Sequence, residues 1–145
     1  MTCGIIIRAM DAADLEVTQG LMAQLGYDIS AEDFAARFST VTANPNHAVL
    51  VAERGGLLLG LVHIFIRAAL EKPVEAVVQS LVVDGRARGT GIGRALMDRA
   101  EGWAQARGLP SVTLYSTLTR DDALAFYARL GYAEVARTAL LRKML

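Results

Sequence analysis

Residues 84–96 read DGRARGTGIGRAL, with four glycines and three arginines between an apolar run and a helical pattern. Upstream, VEAVVQSLVVD (74–84) is apolar at its centre on both alternating faces, as in a strand covered on two sides. Downstream, Ile92, Leu96, Ala100 and Trp103 step by three and four along one face. Asp98, Arg99, Glu101 and Gln105 stay outside, so the spacing predicts a helix over residues 92–107. A glycine-rich turn at this junction lets successive backbone amides face one anion, and the helix start adds its own unsatisfied amides. Arg86, Arg88 and Arg94 add mobile positive charge. A plain strand-to-helix turn with solvated arginines has the same composition, so spacing has to discriminate.

Two phosphate-binding loops fail that test. The Walker A pattern ends in Gly-Lys-Ser/Thr, an ending to which neither Gly85 nor Gly89 leads. The dinucleotide fingerprint Gly-x-Gly-x-x-Gly needs glycine or alanine where Arg94 stands, and it belongs near the first strand of a βαβ repeat. What remains is Arg88-Gly-Thr-Gly91-Ile-Gly93, a local complement to an anion such as a diphosphate.

Working outward, IIIRAM (5–10) reads as a first short strand, followed by a helix over 11–25 that stops at Gly26. Ser30 opens a second helix with Asp33 three positions on, a weak capping box, and Phe34, Ala35 and Phe38 on one side. From His47 the period shortens. HAVLVAE and LLLGLVHIFI flank the turn around Gly55-Gly56 as a β-hairpin, and a connection near Lys72-Pro73 leads into the strand before the loop. After the helix, Gly108 and Pro110 form a stop and SVTLYS (111–116) is a further strand. RDDALAFYARLGY (120–132) is a short helix with acids in its first turn and Gly131 at its end. ALLRKML (139–145) is expected to be a closing strand. The expected architecture is one α/β (α+β) domain over residues 1–145, a mixed, mostly antiparallel central sheet flanked by helices.

Composition narrows the function. The chain has 145 residues, 53% of them hydrophobic, with mean hydropathy +0.33, which fits a folded domain. No apolar run reaches a membrane-spanning length, and the first residues lack a signal-peptide pattern, so neither a membrane nor an export role is expected and the cytoplasm is the default. Fifteen basic residues balance fifteen acidic ones, which gives nucleic acid no global attraction. Cys3 is the single cysteine and is expected simply to pack; His47 and His63 show no metal-ligand spacing, and no metal is expected.

Arg-x-x-Gly-x-Gly after an apolar strand, entering an amphipathic helix, with FYARLGY (126–132) downstream, resembles the GCN5-related N-acetyltransferases over nearly the whole chain. The resemblance implies the acyl-CoA N-acyltransferase fold with acetyl-CoA as cosubstrate. The loop would hold the pyrophosphate through the amides of Arg88, Gly89, Thr90, Gly91, Ile92, Gly93 and Arg94. Backbone groups of Leu81, Val82 and Val83 would pair with the pantetheine arm. The implied activity is direct acetyl transfer to a primary amine of a small molecule in a ternary complex. A protein or peptide acceptor, or a silent acyl-CoA-binding module, are the alternatives, and a homodimer fits the family.

The same resemblance makes Tyr127 the general acid that protonates the departing thiolate, since phenol and thiol have neighbouring reference pKa values. Many relatives have an asparagine seven residues earlier that contacts the cofactor; Arg120 stands there. Many also carry a glutamate base early on the strand before the loop, where AVVQSLVV has only Gln79. Removal of the amine proton would fall to Glu75, with Glu71, His63 and water as the other options. Acceptor contacts would come from the first two helices, around Gly26, Tyr27 and Asp28, and from residues 132–140.

Overall fold

The structure, a computed structural model, describes residues 4–145; Cys3 lies outside the described residues. Contacts within the chain divide it into two units, one ending at Tyr115 and the other Ser116–Leu145.

The first unit is built on a five-stranded sheet in the order β1-β2-β3-β4-β5: β1 (Ile5–Ala9), β2 (His47–Arg54), β3 (Leu57–Arg67), β4 (Glu75–Val83) and β5 (Val112–Leu114). The first four strands pair antiparallel in chain order, and β5 joins β4 in parallel. Helix α1 (Leu15–Leu25) follows a short 3-10 turn and ends at Gly26. Helix α2 (Ala31–Thr42) opens on Ser30, whose side chain accepts from the Asp33 amide. Helix α3 (Ile92–Ala106) connects β4 to β5.

Pairing register fixes which face meets which helix. Val51, Leu61 and Val82 are cross-strand neighbours. They share one core with Leu21 and Met22 of α1 and, at its margin, Phe34 and Phe38 of α2. Gly60 and Val62 alternate to the other face, under Ile92 and Leu96 of α3. Leu21, Ile64, Ile92, Leu96 and Met97 are fully buried, each worth roughly 1.5–3 kcal/mol against exposure.

Gly60 sets how close α3 comes. A Cβ there would stand 2.9 Å from Leu96 Cδ1, 3.0 Å from Ile92 Cγ2 and 3.2 Å from the Val82 carbonyl oxygen. Glycine is what lets the first turn of α3 lie against β3.

The second unit contains α4 (Asp121–Arg129), with Asp121 and Asp122 in its first turn. It ends through Gly131 at φ 97°, whose amide bonds to the Ala128 carbonyl while that of Tyr132 bonds to the Tyr127 carbonyl. The closing strand expected at 139–145 has no counterpart among the strands of the described residues. That segment has no ladder partner among the described residues, and Leu140, Leu141 and Met144 are each more than four-fifths exposed. ALLRKML is apolar at both ends and charged at its centre, without the period of two that marks a strand.

Candidate active site

Asp84 directly follows β4 and is almost fully buried. Its carboxylate accepts from the Arg86 backbone amide at 2.9 Å and from Arg86 Nε and Nη2 at 3.0 and 3.1 Å. These bonds hold the Asp84 carboxyl down at about 2, so it stays ionised. Gln24 of α1 reaches across: its side-chain carbonyl oxygen accepts from the Gly85 amide at 2.8 Å, and its amide nitrogen lies 3.4 Å from Asp84. The first turn of the loop is thereby pinned to both β4 and α1. The free positive charge expected of Arg86 is not there. Its guanidinium is committed to Asp84 instead, which leaves Arg88 and Arg94 for that role.

Beyond this anchor the chain has little side-chain bulk. Gly89 and Gly91 have φ of 74° and 89°, a region that costs other L-residues about 1–2 kcal/mol. Gly91 is the N-cap of α3 and supplies no side-chain cap. The first intrahelical bond runs from the Ala95 amide to the Gly91 carbonyl, so the earlier amides of the helix have no intrahelical acceptor. The Thr90 hydroxyl turns inward to donate to the Ala87 carbonyl oxygen. The loop therefore offers backbone N–H groups and the positive end of a 15-residue helix, with Gly93 in its first turn. This donor set fits a pyrophosphate.

Leu81, Val82 and Val83 lie on the last turn-ward stretch of β4. β5 accompanies β4 only from Ala76 to Val78, and among the described residues no strand pairs with the same edge from Gln79 to Val83. The two strands part at a bulge: His63 pairs with Ser80 and Ile64 with Val78, so Gln79 is the extra residue. An open strand edge leading from the amide-rich loop to this fork can hydrogen-bond an extended amide-containing arm.

Glu75, considered for proton removal, stands at the start of β4 with its carboxylate fully engaged. It accepts from Arg67 Nη2 and from Thr113 Oγ1 at 2.6 Å, and pairs with Lys72 at 3.3 Å. Thr113, Arg67 and Lys72 together hold its carboxyl down at about 2, against the opposing effect of burial. A carboxylate so stabilised attracts a proton weakly. His47 and His63, far apart in sequence, are brought together: His47 Nδ1 lies 2.9 Å from His63 Nε2, and burial and the His47 charge push His63 down to about 4. Among the described residues no group of three or more His, Cys, Asp or Glu gathers as a metal centre.

In the second unit, Tyr127 lies on α4 with its ring 5.2 Å from Phe126 and 6.0 Å from Tyr132, both edge-on. Burial raises its phenol above the usual value, opposed by the charge of Arg120 at the helix N-cap. The phenol is thus protonated at neutral pH.

Asp84 and Gln24 do not stand out in the sequence. The signal for Asp84 is legible afterwards, an acid two residues before a loop arginine at a strand end, where Asx turns form. Gln24 carries no such signal, because its partner is sixty residues away.

These features coincide with a match of residues 15–132 to the acetyltransferase (GNAT) family. Glucosamine 6-phosphate N-acetyltransferase 1 of Oryza sativa subsp. japonica is 32% identical over 88% of this chain and 81% of its own length. Mouse N-alpha-acetyltransferase 80 is 40% identical over 48% of this chain, a match spanning only 21% of that protein. The crystal structure of an aminoglycoside N-acetyltransferase in complex with CoA has the same fold, with a TM-score of 0.88 at 19% identity over 97% of this chain and 95% of that one. The chain belongs to the acetyltransferase (GNAT) family. It is an acetyl-CoA-dependent N-acetyltransferase by class, with acetyl-CoA as cosubstrate.

Proposed function

We propose that the chain moves the acetyl group of acetyl-CoA to a primary amine of a small molecule, by direct attack of the amine on the thioester in a ternary complex. The observation that carries this reading is the uncapped start of α3 at the end of a strand whose outer edge is open from Gln79 to Val83. The amides of Arg88 to Arg94 hold the pyrophosphate, and the backbone of Leu81, Val82 and Val83 pairs with the pantetheine. That arm has roughly a dozen bonds from phosphate oxygen to sulfur, about the length of four residues of extended chain. Measured back from Asp84, four residues reach Ser80, beside the bulge.

Arg120 contributes to cofactor binding in the place where relatives carry asparagine, and Tyr127 protonates the departing thiolate, having kept its proton at neutral pH. The Glu75 carboxylate is occupied by Arg67, Lys72 and Thr113, so the amine enters as the free base present in equilibrium with solvent. The small-molecule acceptor is supported by the match along 81% of the glucosamine 6-phosphate enzyme. A single cysteine suits a cytoplasmic protein. The exposed Val135, Leu140 and Leu141 support a homodimer, testable by analytical ultracentrifugation.

Thermal shift with acetyl-CoA, CoA and ATP tests the donor, because a ligand at a hundred times its Kd stabilises by about 2.7 kcal/mol. Acetyl-CoA and CoA are expected to raise Tm, and ATP is not. Thiol release across an amine panel then tests transfer. CoA binding with no release from any amine would make the chain a silent acyl-CoA module.

A further inference from the structure

On the sheet face that packs α1, the apolar row Val51, Leu61 and Val82 gives way toward the start of β4 to Phe65, Arg67 and Glu75. Tyr115 joins them from beyond the end of β5. Leu114 and Val78 form the last pair of the two strands, so Tyr115 follows at the level of Gln79, where the fork opens.

Counting donors and acceptors in this cluster gives an uneven result. Both oxygens of the one carboxylate, Glu75, are used: Oε1 by Arg67 and Lys72, Oε2 by Thr113 and Ser111. Arg67 Nη1 donates to the Tyr115 hydroxyl oxygen at 3.0 Å, which leaves the phenolic hydrogen itself for another acceptor. Arg67 Nε is buried and, among the described residues, has no acceptor at all. Lys72 is nearly half exposed. Two cations face one carboxylate, and the unfilled valences are all donors. A buried donor left without an acceptor is costly, so the chemistry that completes the cluster is an oxyanion.

We propose that the amine acceptor also carries a carboxylate or phosphate group, held by Arg67 with Tyr115 and Lys72 beside the β4–β5 fork. The inference rests on the acetyltransferase reading and narrows its substrate class to amines bearing an anionic group. The amine end is then presented to the thioester near Ser80 while the anionic end lies toward the start of β4. A polycationic amine finds no free carboxylate in this cluster, since the only one is neutralised.

Matched amine pairs test this: glucosamine 6-phosphate against glucosamine, and β-alanine against β-alaninamide, with an aminoglycoside as the polycationic arm. The anionic member of one pair is expected to have a kcat/KM at least about tenfold higher, and which pair shows it distinguishes phosphate from carboxylate. Arg67→Gln alone leaves the part-buried Glu75 with only one of its two cations, so the double variant Arg67→Gln/Glu75→Gln is used, with Tyr115→Phe beside it. The double variant should bring the ratio to near one while the KM for acetyl-CoA stays within about twofold. Equal use of neutral and anionic amines, preference for the aminoglycoside, or an unchanged ratio in the double variant overturns the inference and leaves acetyl transfer standing. Should no amine release thiol, the transfer reading falls, and thermal shift with the same pairs still decides. Stabilisation by an anionic member that the double variant loses supports the oxyanion site; equal or absent stabilisation overturns it.

Discussion

His47 Nδ1 lies 2.9 Å from His63 Nε2 across β2 and β3, and the Phe65 ring stacks on His47 at 5.1 Å with 12° between planes. A neutral pair is satisfied when one ring donates and the other accepts; a second proton leaves two donors facing each other. Burial first, and then the His47 charge, hold the folded-state pKa of His63 at about 4, against its ordinary value of 6.5. Between those values the unfolded chain binds the proton more readily, so this contribution is complete above pH 6.5 and is lost as pH falls toward 4. Melting temperature should therefore be level above pH 6.5 and decline below it. His63→Gln, measured by calorimetry from about pH 4 to 8, should flatten that window. A slope identical to the parent protein's would show that another group carries it. The further decline expected from Glu75 and Asp84, both held at about 2, belongs to the lower window from about pH 4.5 down to 2.

Gly60→Ala puts a methyl group 2.9 Å from Leu96 Cδ1 and 3.2 Å from the Val82 carbonyl oxygen. Leu96 is fully buried and the Val82 oxygen is backbone, so neither yields easily. Overpacking of this kind costs about 1–3 kcal/mol and displaces the start of α3. Chemical denaturation should show the loss, and the KM for acetyl-CoA should rise with it. Adding Leu96→Val should recover part of both.

Asp84→Asn removes the charge that Arg86 grips and keeps the shape of the side chain. The loop then loses its tie to β4, while the amides of the α3 start remain present but less well aimed. The KM for acetyl-CoA is expected to rise by about an order of magnitude with kcat nearly unchanged. Gln24→Ala, which frees the Gly85 amide, should act in the same direction and less strongly. A drop in kcat at constant KM in Asp84→Asn would assign Asp84 to the chemical step instead of to the loop.

The order of elements along the chain, the hairpin at Gly55-Gly56 and the helices were legible because their signals are local: a period of two or of three to four, an N-cap serine, a glycine stop. The glycine turn into α3 was legible for the same reason, since glycine spacing reports where the chain takes positive φ. What escaped depended on pairing across the sheet. The histidines meet because β2 and β3 bring His47 and His63 into adjacent rows, and Glu75 loses its availability to Arg67, eight residues back on β3, and to Thr113 on β5. Residues 139–145, ALLRKML, are apolar at both ends and charged at the centre, without the period of two that marks a strand, so apolar content alone did not specify one.

Tyr127→Phe keeps the ring packing against Phe126 and Tyr132 and removes only the hydroxyl. A phenol acting as general acid contributes about a hundredfold or more, so kcat should fall by about that factor with little change in the KM for acetyl-CoA. Because burial raises the Tyr127 pKa above 10.0, the parent enzyme should show no alkaline loss of rate from this group below about pH 10. Arg120 opposes that rise by favouring the phenolate. Arg120→Ala should therefore move any alkaline break upward, and the shift should vanish in the Arg120→Ala/Tyr127→Phe double variant. A kcat in Tyr127→Phe within about twofold of the parent enzyme would remove the tyrosine from the proton-transfer step and leave water to protonate the thiolate.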